Sequence, residues 1–140
     1  MELVACTQAD LPARMNEVQW QAMWRYYILP GQVKPLDSSF EGSARAHDFL
    51  LDACLIAVDE GEDAGFCWGA LRGEEAWCGG FGVRPDFRRR GLGKRLLHGT
   101  AEALRQAGAK VWRLEVVQHN RGAVDAYRAA GFRSIRDLGL

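Results

Sequence analysis

The stretch "VRPDFRRRGLGKRLL", Val83–Leu97, sets three consecutive arginines beside two glycines just where helical spacing begins. Unpaired N–H groups and the positive end of the dipole make a helix start attractive to phosphate. Gly91 and Gly93 let a ligand come close because no Cβ intervenes, and Arg89, Arg90 and Lys94 add charge around it. The candidates are a nucleoside triphosphate, a dinucleotide, or the pyrophosphate of a larger acyl carrier. A triphosphate loop has the form G-x-x-x-x-G-K-[ST]; here Arg88 holds the first glycine position and Lys94 is followed by Arg95, with no hydroxyl for a metal. A dinucleotide loop, G-x-G-x-x-G, has Leu96 at its third glycine and expects a parallel βαβ setting. What remains is anion binding by backbone at the helix start. A solvated basic helix start is the plainer alternative. A nucleic-acid patch would interleave basic and aromatic residues along a face rather than pack them around one turn.

Upstream, "ACLIAVDEGEDAGFCWGALRGEEAWCGGFGV" reads as three strands near 53–59, 64–71 and 75–83, joined by acidic, glycine-containing turns of hairpin length. Glu2–Cys6 is β-like. Asp10 offers an N-cap, Pro12 fits a first turn, and Leu11, Met15, Val18 and Ala22 recur at helical spacing. Pro30 to Pro35 interrupts, and Ser38 with Glu41 has the spacing of a capping box for a second helix carrying Phe40, Ala44, His47 and Leu51. Downstream, Leu92, Leu96, Leu97, Ala103, Leu104 and Ala107 form a helical stripe ended by Gly108. "KVWRLEVV" is a strand with Trp112, Leu114 and Val116 on one face and Arg113 and Glu115 on the other. Asn120 opens a last helix through Ala123, Val124 and Tyr127, and Gly131 closes it. The expectation is a single α+β domain over residues 1–140, with a mixed, mostly antiparallel sheet covered by helices on both faces.

A 140-residue chain, 48% hydrophobic, is enough for one core and too short for two. No apolar run approaches the roughly 20 residues that cross a bilayer, and the first residues lack a secretory layout, so a cytoplasmic protein without membrane association is expected. Cys6, Cys54, Cys67 and Cys78 show no paired metal-ligand spacing and read as buried free thiols. Residues 1–83 carry 5 Lys/Arg against 13 Asp/Glu and residues 84–140 carry 13 against 5, so formal charges of −8 and +8 face one another. That polarity suits two ligands of opposite sign, or solvent on both sides.

The stretch "VRPDFRRRGLGKRLL", followed after the next strand by "LEVVQHNRGAVDAYRAAGF", resembles the two signature regions of the GNAT superfamily of acetyl-CoA-dependent N-acetyltransferases. Arg88, Gly91 and Gly93 match the family's [RQ]-x-x-G-x-[GA], and Asn120, Ala123, Tyr127 and Gly131–Phe132 match the second region, in order across residues 81–132. The resemblance implies a three-layer α/β/α sandwich with acetyl-CoA as co-substrate and no metal. It implies that pantetheine pairs with Phe81, Gly82 and Val83, that Arg88, Arg89, Arg90, Gly91, Leu92, Gly93 and Lys94 hold the pyrophosphate, and that Asn120 and Tyr127 touch the cofactor. Gly79, Gly80 and Gly82 suit a bulge or a close approach by ligand better than core packing.

Transfer to an amine needs backbone donors for the oxyanion and a proton for the departing thiolate. Tyr127 is the donor that the resemblance implies, and at seven residues from Asn120 it shares that residue's side of the helix. A core tyrosine and a plain N-cap are the alternative readings of these two. By resemblance, Glu115 is the base, against an ion pair with Arg113; His119 and Glu75 are weaker candidates. Trp20, Trp24 and Tyr27 recur at i, i+4 and i+7 on the first helix and are candidates to border a small cationic amine, with Asp37, Glu41, Asp48 and the turn acids supplying the field. The rivals are acetylation of protein N-termini or lysines, and a CoA-binding module without catalysis. The chain ends eight residues after Phe132, where the family usually adds a strand, so the sheet edge is either open or completed by a partner such as a second copy.

Overall fold

The computed structural model describes residues 1–10, 13–27, 49–114 and 121–133, with the side chains of 23–27, 121 and 123 left out of the description. Strand β1 (Glu2–Ala5) leads through a 3₁₀ turn at Gln8–Asp10 into helix α1 (Ala13–Tyr27). Strands β2 (Leu55–Asp59), β3 (Glu62–Arg72) and β4 (Glu75–Val83) follow as two hairpins. Helix α2 (Leu92–Gln106), strand β5 (Val111–Arg113) and helix α3 (Arg121–Ala129) complete the described chain. The sheet order is β1-β2-β3-β4-β5, antiparallel throughout except for the parallel β4–β5 pair. This is the mixed α+β sheet expected from the pattern. The proposed helix after Ser38 and the short strand after Arg133 fall outside the described residues.

Strand alternation sends side chains to two faces, and a helical stripe covers each. On one face Met15, Val18 and Ala22 of α1 pack on Cys6, Cys54, Ile56, Phe66 and Trp68. On the other, Leu96 and Leu97 of α2 and Tyr127 of α3 pack on Leu55, Ala57, Cys67 and Phe81. Each fully buried large side chain contributes roughly 1.5–3 kcal/mol of transfer free energy, so these two clusters hold the three layers together.

The start of the first helical region lies three residues earlier than the Asp10 cap suggests. The Asp10 carboxylate accepts from the Thr7 N–H at 2.7 Å, the reciprocal half of a capping box whose first residue is Thr7, and it also accepts from Arg14. Burial opposes ionisation of Asp10, but the hydrogen bonds from Thr7 and Arg14 outweigh it and hold the carboxyl below its ordinary range.

Candidate active site

The site begins on β4, beyond its described ladder with β5. The β4–β5 ladder runs Glu75↔Val111, Ala76↔Trp112 and Trp77↔Arg113 and then stops, while β4 continues to Val83. Among the described residues, Cys78–Val83 therefore lacks a strand partner on the β5 side. On its other side the same segment stays paired with β3 up to Gly65↔Val83. An extended ligand laid along this part of β4 would bond to alternate backbone groups of the strand.

A bulge marks the inner end of this segment. The register steps from Trp68↔Gly80 to Gly69↔Cys78, leaving Gly79 as the extra residue. Core packing explains more of the glycines than the sequence reading allowed. A Cβ on Gly79 would run into the Phe49 ring, and one on Gly80 would lie 3.0 Å from Phe66 and 3.2 Å from Trp68. The bulge and the packing act together: the strand bends at a place where side chains from the α1 face already fill the room.

At the outer end, β4 passes through Arg84 and the 3₁₀ turn Pro85–Phe87 into the loop before α2. The buried Phe87 ring anchors the turn beside Ala64 and Leu92. Two left-handed residues, Arg89 (φ 66°) and Gly91 (φ 77°), fold the loop back so that Gly91 becomes the N-cap. Gly91 has no side chain to cap with; its carbonyl accepts the first helical bond from Arg95 at 3.3 Å. The N–H groups of Leu92, Gly93 and Lys94 have no helical carbonyl upstream and face the loop at the positive helix end. Gly93 answers a packing demand as well, since a Cβ there would lie 3.1 Å from the Phe81 ring.

The arginines divide by task. Arg88 Nε donates to the Val83 carbonyl at 3.1 Å, tying the loop to the strand end. Arg84 and Arg90 stand 5.2 and 4.9 Å from the Phe87 ring centroid. Arg90 bonds Asp59 and Glu60 at 3.2 and 3.1 Å, in an exposed arrangement that water screens and that an incoming phosphate can rearrange. Arg89 and Lys94 are exposed. The acids of the β2–β3 turn are engaged by arginines rather than left to a cationic ligand: Asp63 by Arg14 at 2.8 Å, and Glu62 by Arg84 at 3.6 Å. Arg84 and Arg90 thus bring part of the +8 half onto acids of the −8 half, while Arg14 neutralises an acid of its own half.

Tyr127 comes to the bulge from the far side of the sheet. It is 7% exposed, with its ring centroid 5.3 Å from that of Phe81 and 5.7 Å from that of Phe132. It packs in the same cluster as Cys78, close enough to influence that thiol. Cys78 also donates to the Gly80 carbonyl at 3.4 Å. Burial pushes the neighbouring Cys67 thiol up, whereas hydrogen bonding, chiefly from Cys67 and in part from Tyr127, draws Cys78 below its ordinary value. Burial likewise pushes Cys54 up to about 12. Cys6, Cys54 and Cys67 are buried and Cys78 is half-buried. Cys78 carried no functional expectation, because the bulge that turns it toward Tyr127 breaks the strand alternation from which its direction would be read.

The remaining candidates separate. Phe81, Gly82 and Val83 end strand β4, the first two buried, and Trp20 is half-buried on α1. Trp24 and Tyr27 lie on the α1 backbone, but their side chains are outside the description, as are Glu115, His119 and Asn120 entirely. Arg113 lies 3.6 Å from Glu75, so the cation beside Glu115 in sequence has an acid at the β4 start within reach. Glu75 is the first residue of β4 and Val83 the last, a separation of about 26 Å at strand rise, which sets Glu75 apart from the loop end of the strand. Among the described residues no helix is long and apolar enough to cross a membrane, and no cluster of three His, Cys, Asp or Glu is placed to hold a metal ion.

Comparison with known proteins agrees with this geometry. Residues 17–132 match the model of the acetyltransferase (GNAT) family. A thialysine N-epsilon-acetyltransferase from Sus scrofa is 33% identical over 55 residues, a match that spans 39% of this chain and 32% of that relative. The ribosomal-protein-S18-alanine N-acetyltransferase from Escherichia coli superposes with a TM-score of 0.72 at 24% identity, over 96% of this chain and 79% of that one. An aminoglycoside acetyltransferase from an uncultured soil metagenomic sample, in complex with sisomicin, superposes with a TM-score of 0.77 at 14% identity, over 99% of this chain and 92% of the other. At these identities the two structures share a fold with this chain.

Proposed function

Because the chain belongs to the GNAT acetyltransferase family, we propose that it moves an acetyl group from acetyl-CoA to a primary amine by direct attack. The observation that carries this reading is the loop that leads from β4 into α2, where left-handed Arg89 and Gly91 bring the chain into the helix with no side chain capping its first N–H groups. Pantetheine is assigned to the β4 backbone at Phe81, Gly82 and Val83, and the pyrophosphate to the N–H groups of Leu92, Gly93 and Lys94 under Arg88, Arg89 and Arg90. The thioester then lies at Cys78–Gly80, where backbone N–H groups can stabilise the oxyanion.

The amine nitrogen attacks the carbonyl carbon, the carbon–sulfur bond breaks, and the leaving thiolate takes its proton from Tyr127. An alkylammonium of ordinary pKa is only about one part in 10³ neutral at pH 7, so the attacking amine must lose a proton first. Glu115, directly or through water, is the group assigned to remove it, and Asn120 is assigned to the cofactor. The acceptor is a small cationic amine bordered by Trp20, Trp24 and Tyr27. The thialysine and aminoglycoside enzymes that this chain is similar to act on acceptors of that kind. The protein works on the cytoplasmic acetyl-CoA pool, and a second copy is a candidate to complete the sheet edge.

The test is a panel of small di- and polyamines, aminoglycosides, protein N-terminal peptides and lysine peptides, read by release of free CoA thiol. Acetyl transfer is expected with a small cationic amine at higher kcat/KM than with any peptide. Preference for a peptide moves the acceptor to a protein, and acetyl-CoA binding without transfer to any amine replaces the enzyme with a binding module.

A further inference from the structure

On the α1 face of the sheet, directly over the bulge, one polar side chain stands among apolar neighbours. The Trp68 Nε1–H donates to the Gln19 Oε1 at 2.7 Å, and a Cβ on Gly80 would lie 3.7 Å from the same oxygen. Indole nitrogen is a donor only, so the carboxamide orientation is set by chemistry: oxygen toward Trp68 and Gly80, and the two N–H donors on the other branch. No other hydrogen bond ties Gln19 to the described residues, and the side chain is half-buried rather than sealed in the core. Tyr127 reaches the bulge from the opposite face through Cys78. The Gln19 carboxamide thus stands on the α1 side of the segment Cys78–Gly80 to which the thioester is assigned, beside the rings of Phe66 and Trp68.

We infer that Gln19 is a specificity-determining residue of the acceptor site, selecting amines that carry a hydrogen-bond acceptor, such as an ether, carbonyl or hydroxyl oxygen, a few bonds from the reacting nitrogen. This rests on the acetyltransferase reading above and narrows its substrate class. Held by Trp68, the carboxamide is oriented before the substrate arrives, so little side-chain freedom is lost on binding. An amine with a plain alkyl arm leaves a half-buried N–H without its partner.

The measurement is the ratio of kcat/KM for 2-methoxyethylamine to that for butylamine, two amines of closely matched shape that differ by one acceptor-only oxygen. The ratio in the wild type is expected to exceed that in Gln19→Leu by about tenfold, a comparison in which the lower basicity of the ether amine cancels. Gln19→Glu keeps an oxygen for Trp68, and hence the local fold, but has no donor, so its ratio should fall to or below that of Gln19→Leu. A ratio that is the same in wild type, Gln19→Leu and Gln19→Glu overturns this inference while the enzyme reading stands. Absence of turnover with any amine overturns both.

Discussion

Replacing Tyr127 by phenylalanine is expected to lower kcat by roughly 10² or more while acetyl-CoA still binds, because proton donation to a leaving group typically contributes 10² to 10⁴. The substitution is clean in structural terms. The Tyr127 ring belongs to the core, against Phe81 and Phe132, and phenylalanine keeps both ring contacts. What is lost is the hydroxyl and its influence on the neighbouring Cys78 thiol. The two roles of this residue, packing and chemistry, thus come apart in one variant: a kcat loss with an unchanged acetyl-CoA KM assigns the hydroxyl to the reaction. Unaltered kcat, under conditions where the chemical step limits the rate, removes Tyr127 from the mechanism. Loss of folding instead of turnover makes the hydroxyl–thiol contact structural.

Gly91→Glu should abolish the stabilisation that acetyl-CoA gives the wild type. At a hundred times its dissociation constant a ligand bound only by the folded state adds about 2.7 kcal/mol, a rise in Tm on the order of 10 °C for a chain of this size. Gly91 is the exposed N-cap with φ 77°, and a Cβ built there meets nothing within 4 Å. Space is available for a side chain, but the backbone conformation disfavours one, by about 1–2 kcal/mol. Gly91→Ala carries that backbone strain without the carboxylate. It should melt lower than the wild type yet still respond to acetyl-CoA, whereas the glutamate variant, with an anion set at the phosphate position, should not respond. Equal responses from all three proteins would refute the assignment of the loop.

The loop before α2 was legible in the sequence and the bulge of β4 obscure, for physical reasons. Gly91 and Gly93 between arginines announce a helix start without a capping side chain, and the loop is built that way. The three hairpin strands were legible from apolar runs and acidic turns, and they fall at 55–59, 62–72 and 75–83. The bulge glycines were read as room for ligand, but Gly79 and Gly80 also answer to Phe49, Phe66 and Trp68, which no local pattern brings beside them. Cys78 and Gln19 were missed for the same reason. Their significance lies in partners 49 residues apart in the chain for Gln19 and Trp68, and on a different element for Cys78 and Tyr127. The charge halves misled in part: counting signs shows that −8 and +8 exist, but not that Arg14, Arg84 and Arg90 turn back onto the acids of the β2–β3 turn.

The central claim is that acetyl-CoA lies along β4 with its pyrophosphate at the start of α2. A titration of uniformly ¹⁵N-labelled protein with acetyl-CoA, followed by backbone amide shifts, reads that claim residue by residue. The largest changes are expected in two groups, at Cys78–Val83 and at Leu92, Gly93 and Lys94, with the amides of β1 and the end of α2 little altered. Changes concentrated instead at the hollow between α1 and the β2–β3 turn, around Arg14, Asp63 and Arg84, would contradict it.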